Sequence, residues 1–152
     1  YNMAYIYRVR GDLDQAMQLY HQSLEIIEAL GDRKGKAATL HEMAYIYTLR
    51  GDLDQAMQLY HQSLEIKEAL GDRQGKAISQ GMMAQLLNAV GQQQEGLRLW
   101  LEAIDTLQGI GDVTYRPMMR DVRQMRQDIG DAAFRALWQK VTGSDELPEW
   151  LR

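Results

Sequence analysis

Residues 51–70 read GDLDQAMQLYHQSLEIKEAL, and almost the same words, GDLDQAMQLYHQSLEIIEAL, stand forty positions earlier at residues 11–30. Aligning residues 1–37 with 41–77 leaves 31 of 37 positions identical without a gap, and a looser third copy begins at Gly91. Self-similarity at a period of roughly 20 to 50 residues marks a solenoid or array, because one such unit cannot bury its own apolar face and neighbours must stack on it.

Each copy carries helical periodicity. Ala56, Tyr60, Ser63 or Leu64, and then Glu68 or Leu70 recur at three- and four-residue steps, with Asp54, Gln55, Gln58, Gln62 and Glu65 between them. That spacing puts one apolar stripe on a helix. Upstream, Met43, Ala44, Ile46, Tyr47 and Leu49 form a second amphipathic stretch that stops at Gly51. Glycine suits the left-handed residue after a helix, and the aspartate that follows suits an N-cap. Gly-Asp recurs at 11, 31, 51, 71, 111 and 130, so the spacing predicts helices over 12–30, 33–50, 52–70 and 73–90, paired antiparallel. Ala44 and Ala56 set how closely paired helices approach, and Tyr60 fills the space beside them. In the third copy Gly96 replaces the small Ala, Trp100 stands where Tyr20 and Tyr60 stood, and Ala103 keeps the small position.

The run M-A-x-I-Y-x-x-x-G-D-x-x-x-A-x-x-x-Y-x-x-S-L, at residues 3–24 and again at 43–64, resembles the tetratricopeptide repeat (TPR). The usual repeat has about 34 residues. The added segment G-D-R-x-G-K-A at Gly31 and Gly71 resembles the 40-residue subtype of spindle-orientation adaptors and kinesin light chains. HEAT repeats share the length but lack the ordered Ala, aromatic, small signature. The resemblance implies an all-α, right-handed superhelix of antiparallel pairs. It places a partial first repeat, from mid helix A, and repeats at 33–70 and 73–110 in an array over 1–110, with a degenerate fourth pair and C-terminal cap over 111–152. Helix A4 is expected to begin near Tyr115, with Pro117 in its first turn, where the missing amide hydrogen costs nothing.

Composition excludes several classes of function. Net charge is -4 and no cluster of basic residues appears, so nucleic acid is not an expected partner. The absence of cysteine removes disulfides, thiol catalysis and thiolate metal sites. No run of about 18 apolar residues exists, so no membrane partner is expected. The opening inside a helix at Tyr1, without Met, predicts a fragment of a longer protein, and a cytoplasmic location is the matching expectation. The cut first helix A leaves a face able to self-associate end to end.

Catalytic signals are weak. His41-Glu42 begins like a zinc-protease helix, but Tyr45 occupies the place of the second His of H-E-x-x-H. His21 and His61 are copies of each other and read as surface residues. No Ser-His-Asp order or P-loop is present, and the expectation is no enzyme, cofactor or metal. Asp12, Asp14, Asp52 and Asp54 stand at helix starts, where capping and the helix dipole account for them.

The two close copies differ only at Tyr1/His41, Asn2/Glu42, Arg8/Thr48, Val9/Leu49, Ile27/Lys67 and Lys34/Gln74. The first four of these six lie together along the first helix A and its copy, and helix A in the resembled family lines the concave surface. A copied framework with an altered inner wall is what a binding module built by duplication would show; drift at exposed positions yields the same pattern. The candidate groove is then Tyr1, Tyr5, Arg8, His41, Tyr45, Thr48, Gln85 and Asn88, with Arg120 and Gln124. The Lys and Asn set that clamps a peptide carboxylate in some family members is absent, since Tyr1, His41 and Gly81 hold its positions. The leading reading is a non-enzymatic module that binds a peptide or protein segment. The alternative is a ligand- or signalling-peptide-sensing array within a larger bacterial signalling protein.

Overall fold

The computed structural model describes residues 2–152, with side chains from Met3 onward. The described residues form eight α-helices and a closing 3₁₀ turn, without a strand: α1 Asn2–Val9, α2 Leu13–Ala29, α3 Arg33–Arg50, α4 Leu53–Ala69, α5 Arg73–Ala89, α6 Gln93–Gly109, α7 Tyr115–Ile129, α8 Asp131–Thr142 and the turn Glu149–Leu151. This is the all-α helical-repeat solenoid fold that the forty-residue period predicts.

One joint shows how the punctuation works. Gly51 takes φ 78°, a left-handed conformation that ends α3. Its N–H donates to Thr48 O at 3.0 Å and the Asp52 N–H to Tyr47 O at 2.9 Å, so the last carbonyls of α3 are satisfied. The Asp52 carboxylate then accepts from the Gln55 N–H at 3.3 Å and starts α4. At the Gly91-Gln92 joint the backbone bonds persist, but Gln92 provides no side-chain cap.

The chain divides into two compact units, residues 1–72 and 73–152. In the first, Ala4, Ala16, Met17, Tyr20, Met43 and Ile46 make one buried cluster joining α1, α2 and α3, flanked by Tyr7, Leu13, Leu19, Leu24, Tyr47 and Leu59. Tyr60 is fully buried beside the equally buried Ala44 and Ala56. The Ser63 hydroxyl donates to Ala37 O at 2.7 Å, which ties α4 to α3 and gives this serine a bonding role that Ala103, its counterpart in α6, does not share.

In the second unit α5 and α6 pack along Ala77, Met83, Ala84, Leu87, Leu97, Trp100, Ala103 and Leu107, all sealed from solvent. Gly96 sits at their closest approach: a Cβ there would lie 3.0 Å from Ala84 O and 3.3 Å from Asn88 N. The glycine that weakens helix α6 by roughly 1 kcal/mol is thus also what lets two backbones touch. α7 buries Met118, Met119, Val122 and Met125. Its opposite positions Pro117, Arg120, Gln124 and Gln127 are exposed, although their counterparts forty residues earlier, Ala77, Gln80, Ala84 and Leu87, are buried. α8 contributes Phe134 and Trp138, and Leu147 and Leu151 of the last segment are buried with them. The segment is pinned by its carbonyls: Trp138 Nε1 donates to Glu146 O at 3.0 Å, Arg123 Nε to Trp150 O at 2.7 Å and Arg126 to Leu151 O.

Tyr60 offers a clean test of what its ring and hydroxyl each contribute. The ring is fully buried, and the buried hydroxyl has no hydrogen-bond partner in good geometry. Tyr60→Ala should therefore lower unfolding free energy by about 3 to 5 kcal/mol in urea titrations. Tyr60→Phe should change it by less than about 1 kcal/mol, because the buried hydroxyl has only a poorly aligned contact with Thr48 to lose.

Candidate functional site

The first unit brings together five of the candidate groove residues. Tyr5 and Arg8 lie one turn apart on α1, while His41, Tyr45 and Thr48 follow one face of α3 at four- and three-residue steps. The Arg8 guanidinium is sandwiched between two rings, 4.8 Å from the Tyr5 centroid and 4.9 Å from the Tyr45 centroid. Each such contact contributes on the order of 0.5 to 2 kcal/mol, more as water is excluded. Tyr5 is 48% exposed, and Arg8, His41, Tyr45 and Thr48 are half-buried. Tyr1, the remaining candidate of this group, lies outside the described residues.

Two residues that the sequence reading left out of the groove complete the arrangement. Glu42 places Oε2 at 2.9 Å from Arg8 Nε, but the Nε hydrogen is not aimed at it, so the contact is an ion pair rather than an aligned hydrogen bond. The Tyr20 hydroxyl donates to the same Glu42 oxygen over a long 3.4 Å. Lys67 of α4 is buried, and burial lowers its pKa against the opposing pull of Asp72 and Glu42. The His41 ring meets the Tyr60 ring edge to face at 5.2 Å. Burial holds the His41 imidazole down to a pKa of about 4, and the Lys67 and Arg8 cations add to the effect. Burial likewise raises the Tyr60 hydroxyl above the ordinary tyrosine value. Thr48 Oγ1 donates back to Ala44 O at 3.0 Å, so its proton is committed within α3.

In the second unit the candidates separate. Gln85 is exposed on α5 and donates through Nε2 to Asp121 Oδ2 of α7 at 2.7 Å, and Asn88 is half-buried one turn on. Arg120 and Gln124 occupy the exposed face of α7, where Gln124 Nε2 donates to Asp128 Oδ1 at 2.8 Å within its own helix. Asp121 is the α7 residue that meets Gln85. The forty-residue register could have found it, since 121 follows 41 and 81.

Two aromatic faces with hydroxyl handles flank a fixed cation, a residue set enriched where proteins bind one another. No group of three acidic, histidine or cysteine side chains suited to a metal occurs among the described residues. No helix among them is long and apolar enough to cross a membrane.

The depressed His41 pKa has a sign that experiment can check. An unfolded histidine takes up a proton below about pH 6.5, whereas folded His41 stays neutral down to about 4. Protons therefore bind preferentially to the unfolded chain in that window, and stability present above it falls as pH drops through it. Between about pH 7 and about pH 5 the chain should lose on the order of 2 kcal/mol more than a His41→Gln variant, read from urea midpoints at each pH.

The profile of the tetratricopeptide repeat matches residues 1–69 and again 35–109. No curated protein sequence matches the chain. Among solved structures, BtubC (BKLC) from P. vanneervenii superposes with a TM-score of 0.75 at 17% identity, over 96% of this chain and 61% of that one. A Podosopora anserina protein with nearly identical TPR-like repeats, named for the kinesin light chain, superposes with a TM-score of 0.72 at 20% identity, over 97% of this chain and 75% of its own. Its Q17M variant gives 0.69 at 19% identity, over 93% and 71% of the two chains. These likenesses are in fold, and the chain spans less than two thirds of BtubC. With two overlapping profile matches covering residues 1–109 and a Gly-punctuated helix pair repeated at forty residues, this chain belongs to the tetratricopeptide repeat family.

Proposed function

We propose that this chain is a non-enzymatic interaction module whose A helices grip an extended or helical segment of a protein partner. Repeats of this family generally mediate protein–protein interaction. The observation that carries the finer reading is the Tyr5–Arg8–Tyr45 stack, two rings and a cation held on adjacent A helices with Tyr5 still half open to solvent. Arg8 is held by the rings and by Glu42, so it meets a ligand with little side-chain entropy left to lose. His41 and Thr48 border the stack, and Gln85, Asn88, Arg120 and Gln124 are proposed to extend recognition in the second unit.

Peptides selected from a displayed library for binding to the intact chain provide the ligand for a test. Tyr5→Ala and Tyr45→Ala should each weaken the selected peptides about tenfold or more. Gln58→Ala, on the exposed outer side of α4, should leave affinity unchanged. Weakening by Gln58→Ala alone would place binding on the outer face and end this reading.

A second reading is favoured by a specific contrast between the copies. Met3 and Ile6 are 61% and 46% exposed, whereas their counterparts Met43 and Ile46 are 3% and 0% exposed under α2. We propose that this uncovered face of α1 supports end-to-end self-association. Sedimentation of the chain should then show concentration-dependent association that Ile6→Lys abolishes; a monomer at every concentration would refute it.

A further inference from the structure

α2 and α4 differ at a single position, Ile27 against Lys67, and α1 shares with α3 the run Met-Ala-Tyr-Ile-Tyr that faces them. Apolar packing therefore cannot tell one copy from the other. If α3 took the place of α1, or α4 that of α2, every buried alanine, methionine and tyrosine of the cluster would find the same partner. A chain built this way is open to a one-repeat slip, and to exchange of a helix pair with a second copy of itself.

The differences that do exist are not scattered. Of the six, Arg8/Thr48, Tyr1/His41, Asn2/Glu42 and Ile27/Lys67 bring their charged or titratable members to one place in the first unit. Arg8 on α1 pairs with Glu42 on α3 at 2.9 Å. His41 is within electrostatic reach of both Arg8 and Lys67, and Lys67 of Glu42. Lys67 is only 8% exposed, and the side chains of Arg8 and Glu42 are 16% and 19% exposed. Charges held this far from water are costly unless their partners stay in place.

We propose that Arg8, His41, Glu42 and Lys67 form a registration network that makes two otherwise interchangeable repeats distinguish their own order from a slipped or exchanged one. The proposal is independent of the peptide reading. With α3 in the place of α1, Thr48 would face Glu42 and remove the guanidinium paired with it at 2.9 Å, leaving the half-buried carboxylate only the pull of Lys67. With α1 in the place of α3, Tyr1 and Asn2 would replace His41 and Glu42, and buried Lys67 would lose one of its two carboxylates. The other, Asp72, has its copy in Asp32 and so does not discriminate. Each wrong arrangement thus removes from a half-buried or buried charge one partner that the right arrangement supplies. Packing supplies stability without order, and unlike charges supply the order.

The test replaces each member by the residue of the other copy: Arg8→Thr, His41→Tyr, Glu42→Asn and Lys67→Ile together. The chain has no cysteine, so Gln58→Cys on the exposed side of α4 accepts a single dye. Donor- and acceptor-labelled batches are unfolded together, co-refolded at micromolar concentration and then diluted. Energy transfer that persists on dilution reports exchanged chains and excludes reversible end contacts. We expect the four-fold variant to show at least about five times the persistent transfer of the unaltered chain; equal transfer overturns the proposal. Arg8→Lys keeps a cation opposite Glu42 and should leave transfer near the unaltered level, while Arg8→Glu, which sets two carboxylates against each other, should raise it; equal transfer from the two variants also overturns the proposal.

Discussion

Backbones approach closely here because the residues between them have almost no side chain. Ala44, Ala56, Ala84 and Ala103 are completely buried, and at Gly96 even one methyl group would press on the Ala84 carbonyl. Close approach leaves a gap to one side, which Tyr20, Tyr60 and Trp100 fill in turn, each at most 1% exposed. Small beside large is a shape that the next repeat can copy, so one solution at forty residues serves the whole array. Ser63 adds a hydrogen bond to the Ala37 carbonyl, and glycine with aspartate reverses the chain between helices. Everything else can vary around these fixed points.

That freedom shows in two places. On α1 and α3 one set of positions carries Tyr5, Arg8, His41 and Tyr45, a mixture of rings and charge that differs from the small and large pattern of the core. On α7 the face that would receive a following helix is polar and open at Arg120, Gln124 and Gln127. The last segment instead folds onto α7 and α8 through carbonyls caught by Arg123, Arg126 and Trp138. Arginine donors on main-chain oxygens let an irregular stretch lie down without losing its hydrogen bonds.

The helix boundaries were legible in the sequence because glycine and aspartate act locally: the helices expected over 33–50 and from Tyr115 begin and end where their punctuation stands. The buried aromatics were legible too, since a forty-residue register carries Tyr20 to Tyr60 and on to Trp100. The ion pair was not. Arg8 and Glu42 lie 34 residues apart, and no periodicity announces that one helix A will reach the next with a charge. Lys67 was hidden for a related reason: a lysine at a helix end reads as a solvated residue until neighbours are placed around it. The register from His41 does point to Asp121, but its link to Gln85 follows only after α7 is laid beside α5. Local chemistry could be read from the chain, whereas pairs across helices needed coordinates.

The proposed binding face of α1 and α3 rests on two rings and a cation already held against one another in the unbound chain. Chemical-shift mapping tests this most directly, with the isotope-labelled chain titrated by a selected peptide. The account predicts that resonances of Tyr5, Arg8 and Tyr45 shift while those of Gln18 and Gln58, exposed on α2 and α4, stay still. Shifts confined to Gln18, Gln58 and their neighbours would contradict it.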